Sequence, residues 1–124
     1  MKKILLVDDH TGVLRLLAIE LKLEGYDIVT AVNGKEALEL IYNGSPPDLV
    51  VLDIVMPVMN GFEVLARLRE YSRLPVIVHS FDESNKERAL KSGADDFVLK
   101  PFDPDELLKK IRRLLNGKKP EGSS

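Results

Sequence analysis

The sequence predicts one doubly wound α/β domain, in which five short strands form an open parallel sheet with helices on both faces. Five apolar runs of strand length recur along the 124 residues. A segment with apolar residues at helical spacing follows each run. Short apolar strands that alternate with amphipathic helices form parallel sheets through right-handed crossovers. The length suits a single domain with a substantial core.

The five strands are predicted where apolar runs stand between turn residues or helix-ending residues. They cover residues 4–7, 27–31, 49–52 and 97–99, together with a fourth strand that opens with residues 75–78 and ends near Ser80. The third run is entered through Pro46 and Pro47, ends at Asp53, and is apolar throughout. A strand of that kind is covered on both faces, which favours a central place in the sheet.

Capping residues and glycines mark the ends of the predicted helices. The first helix starts near Thr11 and ends at Gly25 as its C′ residue. Capping patterns open the other four, at Asn33 to Glu36, Asn60 to Glu63, Ser84 to Glu87 and Asp103 to Glu106. Glycines end two of these helices, the second at Gly44 and the fourth at Gly93.

The composition excludes several classes of function. The 18 basic residues nearly balance the 20 acidic ones, and the net charge of -2 creates no general attraction to nucleic acid or an acidic membrane. The absence of cysteine excludes disulfides, thiolate metal sites and cysteine nucleophiles. Because aspartates interrupt the first apolar run after Val7, it predicts neither a signal peptide nor a membrane span. We therefore expect a cytoplasmic protein.

Residues 1–116 are predicted to form the domain. Residues 117–124 are polar, have no apolar face, and fit a disordered tail, a linker or a cloning remnant equally well. Four basic residues of the last helix are interpreted as its solvated face rather than as a nucleic-acid contact, namely Lys109, Lys110, Arg112 and Arg113.

Charged and polar residues stand at the ends of four predicted strands. Asp8 and Asp9 follow the first strand, Asp53 the third, Ser80 the fourth and Lys100 the fifth. The carboxyl edge of an open α/β sheet is where ligands bind. Carboxylates that converge there repel unless a cation neutralises them, and Mg²⁺ is the first candidate for oxygen ligands. With a hydroxyl and an ammonium beside them, these acids suit a phosphoryl group, which a carboxylate can accept covalently.

Each of these residues also has an ordinary structural interpretation. A single aspartate after a strand is commonly a turn residue, and Asp8 with Asp9 could cap the first helix. Lys100 could be a solvated lysine in a turn. His79 is interpreted as a satisfied or partly buried strand residue, because no His/Glu cluster supports a zinc site. His10 is expected at the mouth of the pocket.

The ordered set of these residues resembles a response-regulator receiver domain of two-component signalling. The resemblance extends from about residue 2 to residue 115. The residues that carry it are Asp8 and Asp9, Asp53 with Met56, Pro57 and Gly61 after it, Ser80, the run 93–97, and Lys100 with Pro101 and Phe102. The resemblance implies a flavodoxin-like strand order 2-1-3-4-5. It also implies a regulatory domain that catalyses only its own phosphorylation and dephosphorylation, and so is not an enzyme in the usual sense.

The resemblance assigns a metal site and a phospho-acceptor. Asp53 matches the residue that takes a phosphoryl group from the phosphohistidine of a sensor histidine kinase or a phosphotransfer protein. Asp9 matches the direct Mg²⁺ ligand and Asp8 its water-mediated partner, while Asp53 and the backbone carbonyl of Val55 complete the protein ligands. Mn²⁺ is expected to substitute for Mg²⁺.

The resemblance also assigns the switch. Lys100 matches the lysine that pairs with the phosphate, and the bond between Lys100 and Pro101 is expected to be cis. Ser80 and Phe97 match the hydroxyl and the aromatic ring that move together on phosphorylation. The face formed by the fourth helix, the fifth strand and the fifth helix would then act on a downstream protein or effector domain. No direct binding to nucleic acid or a membrane is implied, and phosphorylation-dependent homodimerisation stays open.

Four positions depart from the family's usual residues or tune its chemistry. Phe81 is bulky where a small residue is common, and we hypothesise that it narrows access for small phosphodonors. Phe97 lacks the hydroxyl of the tyrosine that often stands at this position. Val55 and Asp82 match positions that tune dephosphorylation, and because Val55 cannot orient a water molecule, a long-lived phosphorylated state is predicted.

Three other classes of protein are alternatives. A binding module of the same fold could signal without phosphate, although the full acidic set and Lys100 count against it. A metal-dependent phosphatase would carry a second acid two residues after its nucleophile, where Val55 stands. A flavin-binding protein would need a phosphate-binding loop after the first strand, where Asp8 and Asp9 would repel the phosphate.

Overall fold

Five parallel strands form one sheet in the order β2-β1-β3-β4-β5. The structure is a computed structural model that describes residues 1–43, 46–56, 59–70 and 72–116. The strands are β1 (Lys3–Val7), β2 (Asp27–Ala31), β3 (Leu49–Asp53), β4 (Val76–Ser80) and β5 (Asp96–Leu99). The helices are α1 (Thr11–Leu23), α2 (Gly34–Tyr42), α3 (Gly61–Arg69), α4 (Asn85–Lys91) and α5 (Pro104–Leu115). The predicted fold class and strand order are confirmed, with strand ends that differ from the predicted ones by up to two residues.

The core consists of two apolar layers, one on each face of the sheet. Side chains alternate between the faces of a strand, so Leu5 and Val7 pack toward α2 and α3, whereas Ile4 and Leu6 pack toward α1 and α5. The central strands therefore need apolar residues at every position, and all five residues of β3 are buried. Asp53 is one of those five, so a charge closes a strand that is otherwise fully apolar.

Local capping chemistry explains three of the four predicted capping starts. The side-chain oxygens of Asn33, Asn60 and Asp103 accept hydrogen bonds from backbone N–H groups of their own first turns, at 2.8, 3.0 and 2.9 Å. Gly25 and Gly93 end α1 and α4 with φ of 98° and 110°, a left-handed conformation that favours glycine.

The predicted capping box at Ser84 is wrong. Ser84 has helical backbone angles and its side chain makes no capping bond. Its hydroxyl and backbone N–H instead donate to Asp82 Oδ1, at 2.7 and 2.9 Å, because Asp82 closes a turn before α4. The predicted helix end at Gly44, the motif residue Pro57 and the predicted tail 117–124 lie outside the described residues.

Gly61 fixes the start of α3 against the end of β3. Its backbone N–H donates to the carbonyl of Ile54 at 2.9 Å, and a Cβ atom at this position would lie 2.4 Å from the carbonyl oxygen of Asp53. Only glycine permits this approach of two backbones. The close contact holds the loop that follows Asp53. Within the described residues, no helix is both long enough and apolar enough to cross a bilayer.

Candidate functional site

Strand register brings the predicted acids together at the carboxyl edge of the sheet. Val7 of β1 pairs with Leu52 of β3, so Asp8 and Asp53 are neighbours at the ends of adjacent strands. Both carboxylates are buried, Asp8 completely and Asp53 with 3% of its surface exposed, while Asp9 is exposed. One ligand atom each from Asp8, Asp9, Asp53 and His10 lies within 4.8 Å of the others.

Lys100 supplies the positive charge of the site. Its Nζ donates to Asp8 Oδ2 at 2.8 Å and lies 3.5 Å from Asp53 Oδ1. The backbone N–H of Lys100 bonds the carbonyl of Ser80 at 2.8 Å, and the following peptide bond to Pro101 is cis, as the resemblance implies. Because the ammonium is also buried, it stabilises two carboxylates that could not otherwise remain charged so close together.

The two buried acids differ in their affinity for a proton. The pKa of Asp53 is raised to about 6, mainly by burial and also by the charges of Asp8 and Asp9, against the opposing effect of Lys100. Burial also acts to raise the pKa of Asp8, but the Lys100 hydrogen bond and the His10 backbone N–H bring it below its usual value. Asp53 is therefore the carboxylate whose charge most needs a further cation.

Ser80 lies beside Asp53 and is held by two donors. Its Oγ accepts a hydrogen bond from the backbone N–H of Asp82 at 3.1 Å and from Asn85 Nδ2 at 2.9 Å. Sequence reasoning missed Asn85, because it was assigned only to a capping pattern. Asn85 stands five residues after Ser80, and that spacing alone does not identify it as the partner of the hydroxyl.

Three further side chains that the resemblance singles out differ in their exposure. Phe81 is 70% exposed and its ring centroid lies 5.2 Å from Lys100 Nζ, so it stands at the rim of the site. Val55 is exposed on the loop after β3, and its backbone N–H bonds Asp53. Phe97 is buried in the layer that contains α2, α3 and Ala89 of α4.

A cavity of about 200 Å³ opens onto these groups. It is lined by Asp9, His10, Asp53, Val55, Ser80, Phe81, Asp82 and Lys100. Every site residue predicted from the sequence borders this cavity except two: Asp8, which lies buried beneath it, and Phe97. His10 lies at the mouth, as expected. The cavity therefore joins the acids, the hydroxyl and the ammonium in one space.

His79 is a buried strand residue, as predicted, but one of its ring nitrogens is unsatisfied. Nδ1 lies 3.9 Å from Asp8 Oδ2 and has no hydrogen-bond partner in the described part of the chain. Burial and the nearby charge of Lys100 lower the pKa of His79 to about 3. The ring is therefore neutral at physiological pH and adds no charge to the site.

The donor set fits a hard divalent cation. The carboxylates of Asp8, Asp9 and Asp53 converge, and because burial raises the pKa of Asp53, a cation beside it would favour its charged form. Carboxylate oxygens are the ligands that Mg²⁺ prefers.

Comparisons with known proteins agree with this geometry. Residues 4–112 match the model of the response regulator receiver domain. The chain is 45% identical over 116 residues to the "Probable transcriptional regulator ycf27" of Cyanophora paradoxa, covering 92% of this chain and 48% of that protein. It is 45% identical over 114 residues to the transcriptional regulatory protein KdpE of Mycobacterium tuberculosis, covering 90% and 50%. The chain thus spans about half the length of these curated relatives.

Solved structures show the same fold. The receiver domain of the Francisella response regulator 1452 superposes with a TM-score of 0.89 and 35% identity, covering 94% of this chain and 98% of that one. TrrA of Thermotoga maritima, in complex with Mg²⁺ and BeF, superposes with a TM-score of 0.84 and 40% identity, covering 92% and 99%. On its sequence, its fold and the site at its sheet edge, the chain belongs to the response regulator receiver domain family.

Proposed function

We propose that the domain is a phosphorylation-dependent switch that accepts a phosphoryl group on Asp53 from the phosphohistidine of a sensor histidine kinase or a phosphotransfer protein. The observation that carries the proposal is the buried Asp53 carboxylate, which shares a cavity with Lys100, Ser80 and two further acids. A downstream protein or effector domain would respond to the phosphorylated form. The proposal also places the domain in the cytoplasm. The domain itself would bind neither nucleic acid nor a membrane.

The transfer forms one bond and breaks one. A carboxylate oxygen of Asp53 attacks the phosphorus and forms a P–O bond. The bond between the phosphorus and the donor imidazole nitrogen breaks, and that nitrogen keeps the electron pair. Mg²⁺ or Mn²⁺, held by Asp9 directly, by Asp8 through water, by Asp53 and by the Val55 carbonyl, would shield the negative charge of the phosphoryl oxygens. Lys100 already lies 3.5 Å from Asp53 and would pair with the transferred group.

Phosphorylation would then change the partners of Ser80. The hydroxyl accepts hydrogen bonds from Asn85 Nδ2 and the Asp82 backbone N–H, so its own hydrogen is free to donate, and a move of Oγ toward a phosphoryl oxygen would exchange these two contacts for the new one. That exchange releases a contact to the first turn of α4 and leaves space for the Phe97 ring. The surface whose conformation would change on phosphorylation is the face formed by α4, β5 and α5.

Intact mass spectrometry tests the proposal. Acetyl phosphate with Mg²⁺ is expected to add one phosphoryl group to the native chain, and none without Mg²⁺ or in Asp53→Asn. Asp27→Asn removes an exposed acid at the opposite edge of the sheet and should label as the native chain does. A native chain that takes no phosphoryl group from acetyl phosphate or from a phosphohistidine donor would overturn the proposal.

Phe81→Ala should increase the rate of labelling by acetyl phosphate. The exposed ring covers Lys100 at the cavity rim, so its removal widens the path to Asp53. We expect roughly a threefold or larger increase, equivalent to about 0.6 kcal/mol of barrier. Leu16→Ala, which removes another exposed apolar side chain from a neighbouring groove, serves as the control. An unchanged rate in Phe81→Ala would rule out the access role.

The phosphorylated state is expected to last minutes rather than seconds. Val55 is exposed at the cavity and has no polar group to orient an attacking water molecule. Val55→Gln should shorten the half-life, measured by loss of the phosphoryl mass after the donor is removed. A native half-life of seconds, or no difference between the two chains, would contradict the prediction.

A further inference from the structure

We infer that His10 supplies an imidazole ligand to the divalent-cation site, so that this domain favours cations that accept nitrogen, such as Co²⁺ and Ni²⁺, over a purely carboxylate site. The inference rests on the proposed function in one respect, namely that Asp8, Asp9 and Asp53 hold a divalent cation. It adds a ligand from this chain and a preference among cations.

The distances around His10 match those between neighbouring ligands of one ion. His10 Nδ1 lies 3.0 Å from Asp8 Oδ1 and 3.2 Å from Asp9 Oδ1. An octahedral cation with bonds of about 2.1 Å keeps adjacent ligand atoms about 3 Å apart. The His10 nitrogen and the Asp9 oxygen can therefore occupy adjacent corners of one coordination sphere, and Asp8 Oδ1 and Asp53 offer further oxygens within 4.8 Å of them.

The backbone holds the imidazole in this place. His10 is the residue before α1, and its backbone N–H donates to Asp8 Oδ1 at 2.9 Å. Its side chain makes no capping bond to the helix. The ring thus faces the acids instead of serving the helix that it precedes.

The ring of His10 can present a nitrogen lone pair to a cation. Carboxylate oxygens only accept hydrogen bonds, so Nδ1 carries the hydrogen in the arrangement seen here. A neutral imidazole can carry that hydrogen on either nitrogen, and the side chain is 62% exposed to water. Moving it to Nε2 makes Nδ1 a ligand.

The chemistry of the ligand predicts which cations respond. Mg²⁺ prefers oxygen and binds imidazole weakly, whereas affinity for sites with nitrogen rises from Mn²⁺ through Co²⁺ to Ni²⁺. A role of His10 limited to positioning Asp8 would affect all divalent cations alike. The ratio of Co²⁺ to Mg²⁺ affinity therefore separates a ligand from a positioning residue.

Isothermal titration calorimetry of Co²⁺ and Mg²⁺ on the full chain tests the inference. His10→Phe keeps a ring of similar size and removes both nitrogens. We expect Co²⁺ affinity to fall about tenfold or more and Mg²⁺ affinity to change less than about twofold. Pulsed electron paramagnetic resonance of the Mn²⁺-loaded native chain should show coupling to an imidazole nitrogen that His10→Phe removes.

Each other outcome overturns the inference. Equal losses for Co²⁺ and Mg²⁺ would make His10 a positioning residue for Asp8, and no loss would leave it outside the site. A nitrogen coupling that persists in His10→Phe would assign the ligand to His79, the second of the two histidines. Suppose that the native chain binds Mg²⁺ and is phosphorylated on Asp53, but that the ratio of Co²⁺ to Mg²⁺ affinity is the same in the native chain and in His10→Phe. Only this inference then fails. If the native chain binds no divalent cation, the proposed function fails with it.

Discussion

Lys100→Met should reduce the rate of phosphoryl transfer to Asp53 by roughly a hundredfold or more and lower the free energy of unfolding by about 3 kcal/mol. Lys100 Nζ lies 2.8 Å from Asp8 and 3.5 Å from Asp53, and all three side chains are buried. Removing it leaves two carboxylates in a low-dielectric space without their cation. Protonation of Asp53, whose pKa is already raised to about 6, limits the loss of stability.

Urea unfolding and the initial rate of acetyl-phosphate labelling measure the two effects of this substitution. Lys91→Met is the matched control, because Lys91 also pairs with an acid at 2.8 Å, Glu87, but is 74% exposed. An exposed pair contributes little, so its loss should change stability by less than about 0.5 kcal/mol and leave labelling intact. If Lys100→Met behaves like Lys91→Met, the buried ion pair has neither role.

Asp53→Asn should stabilise the protein by about 2 kcal/mol at pH 7.5 without divalent cations, and the gain should disappear as the pH falls toward 4. The pKa of Asp53 is about 6 in the folded chain against an ordinary value of 3.8, so the folded state binds this proton more tightly than the unfolded state does. Ionisation of Asp53 therefore lowers the free energy of unfolding. The full loss is present above about pH 6, and there is none below about pH 4. The amide keeps the shape of the side chain and removes that cost.

Chemical denaturation of both chains at a series of pH values measures the difference in unfolding free energy. The difference reflects Asp53 together with Asp8 and Lys100, whose charges interact with it. Asp27→Asn, an exposed acid at the amino edge of the sheet, should stay within about 0.5 kcal/mol of the native chain throughout. Adding Mg²⁺ should stabilise the native chain more than Asp53→Asn, because binding to the folded state raises its stability. A difference that is absent at pH 7.5, or that grows toward pH 4, would contradict the raised pKa.

Local rules predicted most of the fold because its determinants are local. Apolar runs, helical spacing and the caps at Asn33, Asn60 and Asp103 act within a few residues, and the structure confirms them. The capping box at Ser84 failed for a physical reason. Asp82, two residues earlier, accepts the Ser84 backbone N–H that a capping box would give to Glu87, and it also accepts the Ser84 hydroxyl; spacing alone does not tell which acceptor Ser84 meets.

Contacts between elements were beyond local rules. Ser80 meets Asn85 of α4, and Lys100 bonds Asp8 more closely than Asp53, yet no sequence spacing distinguishes these partners from others at the same edge. Such choices depend on strand register and side-chain rotamers, which the whole sheet sets. The placement of His10 between two carboxylates has the same origin.

The position of Asp53 could be predicted from the sequence, whereas its pKa depends on the tertiary structure. An acid after a buried apolar run, in order with Asp8, Asp9 and Lys100, is enough to predict where the candidate site lies, because parallel strands all end at one edge. The properties of that acid come from the assembled fold. Its pKa is raised to about 6 because burial and the charges of Asp8 and Asp9 outweigh the opposing effect of the Lys100 ammonium 3.5 Å away, and these contributions depend on residues distant in the chain. The residue types and their order therefore predict where the candidate site lies, and the packing at the sheet edge determines the pKa of Asp53.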